Sequence, residues 1–284
     1  MNKKYNIGIV GLGYVGKAIF NAFSSVNNIF TYDMKVKSSE SNLQSLVVKS
    51  EIIFICLPTP MKKDGSCSLD IITNSLDIIT KTIEDLNTFN IKKHIVIKST
   101  VPPGTCLNLQ ENNTNLNIIF NPEFLTESNF NDDFLNQNRI VLGGSDVEEI
   151  KSLYNSRFPE IEIIDLNYKE AEMVKYFANT FLATKVSFAN ELYTLCNKMG
   201  VNYDIVVKTA IKDQRIGKTH FQVPGPDGKF GFGGSCFPKD ISALISVFKA
   251  NNVDTLVLNS VWERNQTIDR IEKDWEFLKG RAIE

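Results

Sequence analysis

The sequence predicts an α/β protein, with an N-terminal Rossmann-like, doubly wound parallel sheet followed by a helical domain with one long connecting helix. Three observations predict this fold. Short apolar runs alternate with helical patterns in the first half of the 284 residues, which is typical of βαβ units. A glycine-rich turn follows the first apolar run. From residue 168 onward, apolar residues recur at helical intervals.

The first half predicts seven strands separated by helices. The strands are Tyr5–Val10, Ile29–Tyr32, Ile52–Cys56, His94–Lys98, Asn117–Phe120, Arg139–Leu142 and, at an edge, Glu160–Ile164. Helical patterns lie near 14–25, 69–87 and 146–155. We therefore expect a dinucleotide-binding domain over residues 1–166.

The second half predicts helices only. One long helix is expected over Tyr168–Met199, closed by Gly200. Residues 203–212, 238–250 and 254–279 also predict helices, and the Pro/Gly-rich segment 223–234 predicts a loop. We expect a helical domain over residues 167–284.

Composition argues against several classes of protein. The net charge of −2 leaves no excess of Lys and Arg for nucleic acid. No stretch approaches the ~20 apolar residues of a membrane span. The five cysteines include no Cys-x-x-Cys pair, and there are only two histidines. We therefore expect neither a disulfide framework nor a metal site, and a location in the reducing cytoplasm.

The segment GLGYVG, residues 11–16, follows a strand and opens a helix, and Asp33 ends the next strand. The first glycine permits a tight turn, the second lets the backbone approach a pyrophosphate, and the third allows close helix–strand packing. An acid at Asp33 can bond both ribose hydroxyls and repel a 2′-phosphate. The pattern favours NAD over NADP, although Lys35 and Lys37 are cations that could accommodate a phosphate.

Three further loops follow predicted strands: Leu57–Pro60, Ser99–Gly104 and Asn121–Glu127. Carboxyl ends of parallel strands are where ligands bind in open α/β sheets. Hydroxyls and carboxylates are offered there by Thr59, Thr100, Glu123 and Glu127. For each loop alone, an ordinary turn that contains proline and threonine is an equally good interpretation. Three such loops at one edge of the sheet favour a binding site.

On the long helix, Lys175 and Asn179 are four residues apart and share a face. Glu172 lies three residues before Lys175. From spacing alone, a surface ion pair between Glu172 and Lys175 is the favoured interpretation.

Cys236 lies in the glycine-rich run GFGGSCFPKD, just ahead of a predicted helix. Pro238 suits the first turn of that helix. A helix N-terminus and the neighbouring Lys239 both stabilise a thiolate, and Asp240 can reach a water or hydroxyl near the sulfur. Cys56 and Cys196 lie in apolar runs and fit buried structural thiols better.

The motifs GLGYVG, KSTVPPGT, NPEFLTE, AEMVKYFANTFLA, DQRIG and GFGGSCFPKD together resemble those of the UDP-glucose 6-dehydrogenases, within the UDP-glucose/GDP-mannose dehydrogenase family. The resemblance covers nearly the whole chain. It implies a nucleotide-sugar substrate whose C6 alcohol is oxidised by four electrons to a carboxylate, with two NAD used in turn. It also implies a homodimer formed through the helical domain.

The resemblance assigns roles by motif position. Cys236 would be the nucleophile and Lys175 would stabilise oxyanions, while Asp240, with Thr100 and Glu127 acting through water, would handle protons; Asn179 completes the catalytic set. The expected NAD contacts are Gly11, Gly13, Tyr14, Val15, Gly16, Asp33, Lys35, Leu57, Thr59, Ser99, Thr100, Glu127 and Lys239. The expected substrate contacts are Glu123, Phe124, Leu125, Lys175, Asn179, Phe230, Gly231, Gly233 and, toward a neighbouring subunit's substrate, Arg215.

Relatives continue into a second Rossmann-like domain that closes over the nucleotide, whereas this sequence ends at Glu284. We therefore expect a form without that domain, whose nucleotide-binding part could be a separate chain. Two alternatives stay open. One is a single-step NAD-dependent hydroxy-acid or sugar-acid dehydrogenase, which leaves the cysteine motif unexplained. The other is a catalytically incomplete, NAD-binding half of a split enzyme.

Overall fold

A computed structural model describes residues 3–86 and 93–284. The chain divides into two compact units, Met1–Thr59 with Leu69–Lys175 and Pro60–Ser68 with Tyr176–Glu284. This division falls within the long helix, and the sequence-based domain boundary at residue 166 stays a prediction. Within the described ranges, no helix is both long enough and apolar enough to cross a membrane.

The first unit contains a seven-stranded sheet. Its strands are β1 Asn6–Val10, β2 Asn28–Tyr32, β3 Ile52–Ile55, β4 Lys93–Ile97, β5 Leu116–Phe120, β6 Arg139–Gly143 and β7 Glu162–Leu166. All seven predicted strands are confirmed, and each observed end lies within two residues of the predicted end.

The spatial order of the strands is β2-β1-β3-β4-β5-β6-β7. The first five in this order are parallel to one another. β6 pairs antiparallel to β5 through Phe120 and Gly143, and β7 runs parallel to β6. The sheet is therefore mostly parallel, and the carboxyl ends of β1, β3, β4 and β5 lie at one edge.

Helices cover both faces of the sheet. They are α1 Tyr14–Phe23, α2 Leu43–Lys49, α3 Asp70–Asp85, α4 Thr105–Asn112, α5 Phe130–Leu135 and α6 Glu148–Arg157. α2, α3 and α4 pack on one face in a core that includes Ile53, Ile55 and Ile95. α1, α5 and α6 pack on the other face around Ile52, Phe54 and related residues. The alternation of side chains along β3 explains both cores, because successive residues of a strand point to opposite faces.

α7, Tyr168–Met199, is a single helix of 32 residues, as predicted. The second unit adds α8 Tyr203–Ala210, α9 Phe237–Ala250 and α10 Leu256–Arg264. Its main apolar cluster joins Ala183 of α7 to Phe232, Ile241 and Val261.

The prediction of a single helix over 254–279 was wrong. α10 ends at Arg264 and passes into a π-helical turn, Asn265–Asp269, and a short 3₁₀ turn, Asp274–Phe277, follows. Lys273, between the two turns, has a φ of 45°, which breaks a right-handed helix. The short helices α2, α4 and α5 were not predicted, and the end of the predicted helix 69–87 at residue 87 lies outside the described residues.

Candidate functional site

The glycine-rich turn joins β1 to α1. Gly11 has a φ of 93° and lies so close to β3 that a Cβ added there would be 2.6 Å from the Cys56 carbonyl oxygen. A Cβ on Gly16 would be 2.0 Å from the Gly11 carbonyl oxygen. Gly13 caps α1, and no described atom lies within 4 Å of a Cβ built on it. The turn is therefore tight on its protein side and open over the helix N-terminus, which suits a pyrophosphate.

Asp33 follows β2 and is bonded to this turn. Its Oδ2 accepts a hydrogen bond from the Leu12 amide at 2.7 Å, and its Oδ1 accepts from the amides of Lys35 at 2.7 Å and Val36 at 3.0 Å. Burial alone would raise the pKa of Asp33, but these backbone hydrogen bonds outweigh it and the pKa lies below its ordinary value. The carboxylate is thus ionised and fixed beside the open helix end.

The three loops predicted to form one site do converge within the first unit. Thr59 Oγ1 donates to the Thr100 carbonyl at 2.8 Å, and Ser99 Oγ donates to the Leu57 carbonyl at 2.6 Å. The loops after β3 and β4 are therefore tied together at the carboxyl edge of the sheet.

A buried lysine, which the sequence did not single out, links the loops after β4 and β5. Lys98 Nζ donates to Asn121 Oδ1 at 2.9 Å and to the Pro122 carbonyl at 3.3 Å. Asn121 also accepts from the Tyr154 hydroxyl at 2.5 Å and donates to the Val141 carbonyl at 2.8 Å. Desolvation by burial lowers the pKa of Lys98 to about 8.

This shift predicts a pH-dependent stability. Between about pH 8 and pH 10.5 the unfolded chain holds a proton on Lys98 that the folded chain does not, so folding becomes more favourable as pH rises. Relative to Lys98→Met, the parent protein should gain on the order of 3 kcal/mol of unfolding free energy across that window. Urea unfolding of both proteins from pH 7 to pH 10.5 measures the difference. Lys169→Met, at an exposed position, is the control, and parallel curves for the parent protein and Lys98→Met would contradict the expectation.

Glu123 and Lys175 form a buried ion pair in the first unit. Lys175 Nζ lies 3.0 Å from Glu123 Oε1 and donates to the Glu123 carbonyl at 2.6 Å. The side chains are only 4% and 6% exposed, lysine first. Burial alone would raise the pKa of Glu123, but Lys175 and the Leu125 amide, which donates to Oε2 at 2.6 Å, bring it below its ordinary value. The Phe124 ring lies 5.4 Å from Lys175 Nζ.

The surface ion pair expected between Glu172 and Lys175 is wrong. Glu172 is fully buried, and its two carboxylate oxygens accept from the amides of Gly104 at 2.5 Å and Cys106 at 2.7 Å. It therefore caps the N-terminus of α4, where orphan amides and the helix dipole favour a carboxylate. Lys175 is left to pair with Glu123.

In the second unit, a buried carboxylate lies one turn after Cys236. Asp240 is 1% exposed, and its Oδ2 accepts from Asn179 Nδ2 at 2.5 Å. Its Oδ1 lies 2.5 Å from Lys239 Nζ. Burial would lower the pKa of Lys239, but Asp240 and two nearby thiols, Cys236 and Cys67, raise it above its ordinary value. The ammonium group therefore stays protonated within electrostatic range of both sulfurs.

Cys236 occupies the N-cap position of α9, and Pro238 lies in the first turn, as the sequence predicted. Its carbonyl accepts the first helical hydrogen bond, from the Asp240 amide at 3.0 Å. The side chain is partly exposed, and Ser235 Oγ lies 3.8 Å from its sulfur. All five cysteines are reduced thiols. Cys56 is very different, because burial raises its pKa to about 12.

The remaining predicted residues are spread over the two units. Tyr14 and Val15 open α1, Lys35 and Glu127 are exposed, and Phe230 is 41% exposed. The Arg215 side chain is 90% exposed and pairs with Asp213, its Nη2 2.5 Å from Oδ2. Gly231 has a φ of 63°, and Gly233 lies against the Asp274 carboxylate. The ligand contacts assigned to all these residues stay predictions.

The first unit combines the glycine turn, the Asp33 carboxylate bonded to it and the loops joined at the carboxyl edge of the sheet, features typical of a dinucleotide-binding α/β protein. The second unit is helical. The NAD binding domain of the UDP-glucose/GDP-mannose dehydrogenase family matches residues 30–157. The central domain of the same family matches residues 169–267. The chain belongs to the UDP-glucose/GDP-mannose dehydrogenase family, and NAD is its cofactor.

Among curated relatives, a UDP-glucose 6-dehydrogenase of Rickettsia bellii is 41% identical over 82% of this chain and 55% of its own length. That of Rickettsia felis is 34% identical over 98% of this chain and 70% of its own length. A UDP-glucose dehydrogenase structure from Pyrobaculum islandicum superposes with a TM-score of 0.81 at 26% identity, over 93% of this chain and 68% of that one. The chain thus spans between half and three quarters of the length of these relatives. The predicted family, fold class and cofactor are confirmed.

Proposed function

We propose that this chain carries out the NAD-dependent, four-electron oxidation of a nucleotide-sugar C6 alcohol to a uronic acid, UDP-glucose to UDP-glucuronate, through a thioester on Cys236. The observation that carries the proposal is the partly exposed thiol at the N-cap of α9. The Lys239 ammonium group lies within electrostatic range of its sulfur and is paired with the buried Asp240 carboxylate. A helix N-terminus and a neighbouring lysine are the surroundings in which reactive, nucleophilic cysteines occur in proteins. A hydroxy-acid dehydrogenase would have no use for it.

The first unit has the features that NAD requires. Gly11, Gly13 and Gly16 shape an open helix N-terminus for the pyrophosphate, and Asp33 offers an ionised carboxylate to the ribose. Thr59, Ser99 and Thr100 lie on the loops at the carboxyl edge of the same sheet. When bound, NAD accepts a hydride from the sugar carbon, once for each of two successive molecules.

In the proposed reaction, Cys236 retains the aldehyde formed in the first oxidation. Its sulfur adds to the aldehyde carbon, forming a C–S bond while the carbonyl oxygen gains a proton. That carbon would then lose a hydride, which the second NAD would accept, and its oxygen would lose the proton, leaving a thioester. Addition of water to the thioester carbon would break the C–S bond and release the acid and the Cys236 thiol. The sulfur that forms the C–S bond is the one released on hydrolysis, so a single cysteine suffices.

Proton transfer and charge stabilisation are assigned to the buried polar groups. Asp240 is oriented by Asn179 on one oxygen and Lys239 on the other, so it can accept a proton through an intervening water. Thr100 and Glu127 are proposed to act through water as well. Lys175 is proposed to stabilise the oxyanions of addition and hydrolysis, and its ammonium group is already desolvated by burial.

Substrate contacts are proposed for the loop 123–125, for Asn179, and for Phe230, Gly231 and Gly233. A homodimer is proposed along α7. Phe177, Phe181 and Phe188 are 68%, 53% and 58% exposed, and their spacing places them on one helical face. Exposed apolar stripes of this kind mark protein interfaces. The exposed Arg215 is proposed to reach the substrate of the neighbouring subunit.

The cofactor choice is directly testable. Because Asp33 would meet a 2′-phosphate with like charge, NAD should bind at least tenfold tighter than NADP, a difference of about 1.4 kcal/mol. Asp33→Ala should reduce this preference for NAD over NADP. Asp64→Ala, at an exposed position in the second unit, should leave the preference unchanged. Calorimetric titration with both nucleotides measures it, and equal or tighter binding of NADP to the parent protein would contradict the assignment.

The reaction itself is tested by incubating the chain with NAD and UDP-glucose and identifying the product by mass spectrometry. The proposal predicts UDP-glucuronate. Accumulation of a ketone or a C6 aldehyde would instead favour a single-step dehydrogenase.

A further inference from the structure

Two buried asparagines of the second unit hold the glycine-rich loop that precedes Cys236. Asn190 of α7 accepts a hydrogen bond from the Gly231 amide, with Oδ1 at 3.1 Å. Asn265, the first residue of the π-helical turn, bonds Phe232 twice: its Oδ1 accepts from the Phe232 amide at 2.8 Å, and its Nδ2 donates to the Phe232 carbonyl at 2.9 Å. Asn190 and Asn265 are 2% and 0% exposed.

The loop needs these side-chain hydrogen bonds because its backbone is not part of a helix or a sheet. Gly231 and Gly234 have φ values of 63° and 71°, a region that regular secondary structure does not use. Phe232 is 4% exposed, so its amide and carbonyl would otherwise be buried without partners. A buried donor or acceptor left unpaired destabilises the fold. The Asn265 side chain therefore pairs both backbone groups of Phe232, as a neighbouring strand would do in a sheet.

Asn265 is itself fixed by the π-helical turn. The Arg270 amide donates to the Asn265 carbonyl at 2.8 Å, and the Arg264 side chain contacts both Asp269 oxygens at 3.0 Å. A Cβ on Gly231 would lie 2.4 Å from Asn265 Oδ1. The amide and the glycine are thus interlocked, because only a residue without a side chain leaves room for the amide. Single π-helical turns often occur at functional positions.

The same contacts bracket Cys236. Phe232 precedes the cysteine by four residues, and its ring packs edge-on against Phe237, which follows it, with ring centroids 6.1 Å apart. A displacement of Phe232 would therefore move both the segment before Cys236 and Phe237, the residue after it.

We propose that Asn190 and Asn265 are positioning residues for Cys236: they fix residues 231–232 so that the thiol stays at the N-cap of α9. The proposal rests on the proposed role of Cys236 as the nucleophile. Neither asparagine was predicted from the sequence as a site residue. Their effect should be on the thiol and the chemical steps rather than on cofactor binding, because the residues proposed to bind NAD lie mostly in the other unit.

The test compares Asn265→Ala with Asn259→Ala, which removes an exposed asparagine of α10. The rate of iodoacetamide alkylation of Cys236 at pH 7, followed by mass spectrometry, should fall at least fivefold in Asn265→Ala and stay at the parent value in Asn259→Ala. Cys196 should alkylate at its parent rate in both. The kcat for oxidation should fall at least tenfold in Asn265→Ala, with the Kd for NAD unchanged.

Gly231→Ala perturbs the same loop from the other side, because its methyl group would meet Asn265 Oδ1, Asp269 Cβ and Arg270 Cβ, and it should also slow Cys236 alkylation. An Asn265→Ala protein that is less stable yet alkylates Cys236 at the parent rate would overturn the proposal. If Asn265→Ala does not fold, the Cys236 alkylation rate of Asn190→Ala is measured instead: a slower rate supports the proposal, and the parent rate overturns it.

The alkylation arm needs no substrate, so it separates this proposal from the function on which it rests. If the parent protein makes no uronic acid but Asn265→Ala still slows alkylation, the proposed function fails and the positioning role stands. If the parent makes the acid and Asn265→Ala alkylates and turns over like the parent, the positioning role alone is refuted.

Discussion

Cys236→Ser should release no measurable acid, a loss on the order of a thousandfold or more, while folding and NAD binding are retained. A serine ester would hydrolyse far more slowly than a thioester, so any covalent adduct would persist. Acid formation is followed by chromatography, and NAD binding by titration. The change is nearly isosteric and lies at a partly exposed N-cap position, where serine is a favourable residue.

The matched control is Cys196→Ser, which makes the same substitution at a partly buried thiol packed near Tyr203 and Val223. It should retain the parent's rate of acid formation. If Cys236→Ser continued to turn over with two NADH for each substrate, the covalent mechanism would be wrong.

Lys175→Met should destabilise the first unit by about 3 kcal/mol, because it leaves the buried Glu123 carboxylate without its cation. Most of that loss should return in the double variant Lys175→Met/Glu123→Gln, which removes the charge as well. Lys229→Met is the control, since its pair with Glu272 has side chains 47% and 42% exposed and should contribute no more than about 1 kcal/mol. Chemical unfolding followed by circular dichroism measures all three variants.

The pH dependence of the Lys175→Met effect has a definite sign. In the parent protein the pKa of Glu123 lies below its ordinary 4.5, so its pairing stabilises the fold above that pH and is lost as pH falls through the depressed pKa. In Lys175→Met the burial effect is no longer offset by that lysine, and protonation of Glu123 relieves the unpaired charge. The deficit should therefore be larger at pH 7 than at pH 4. An equal deficit at both values would show that lost packing, not charge, is responsible.

The parallel sheet and the meeting of three loops at its carboxyl edge could be predicted because their signals are local. Each buried strand is an apolar run, and a loop after a parallel strand lies at a known edge of the sheet. The glycine turn could likewise be predicted, since Gly11 and Gly16 lie where any side chain would collide with backbone. The long α7 has a helical pattern over its whole length.

The wrong or missing predictions depend on contacts distant in sequence. Glu172 lies three residues from Lys175, but its carboxylate is bonded to the α4 amides some 66 residues earlier. Lys98 reads as the end of an apolar strand, and only the fold brings it to Asn121. The end of α10 at Arg264 was not predicted. Asn265, the next residue, bonds to a loop more than 30 residues away, and a contact of that kind leaves no local signal in the sequence.

The central claim, that one chain carries an alcohol to an acid through a cysteine thioester, is tested most directly by counting NADH. The chain, alone and supplemented with the C-terminal domain of a relative, is incubated with excess NAD and a limiting amount of UDP-glucose. NADH is measured by absorbance and the acid by chromatography. We expect two NADH for each acid released. One NADH for each substrate, with a ketone or aldehyde as the product, would contradict it.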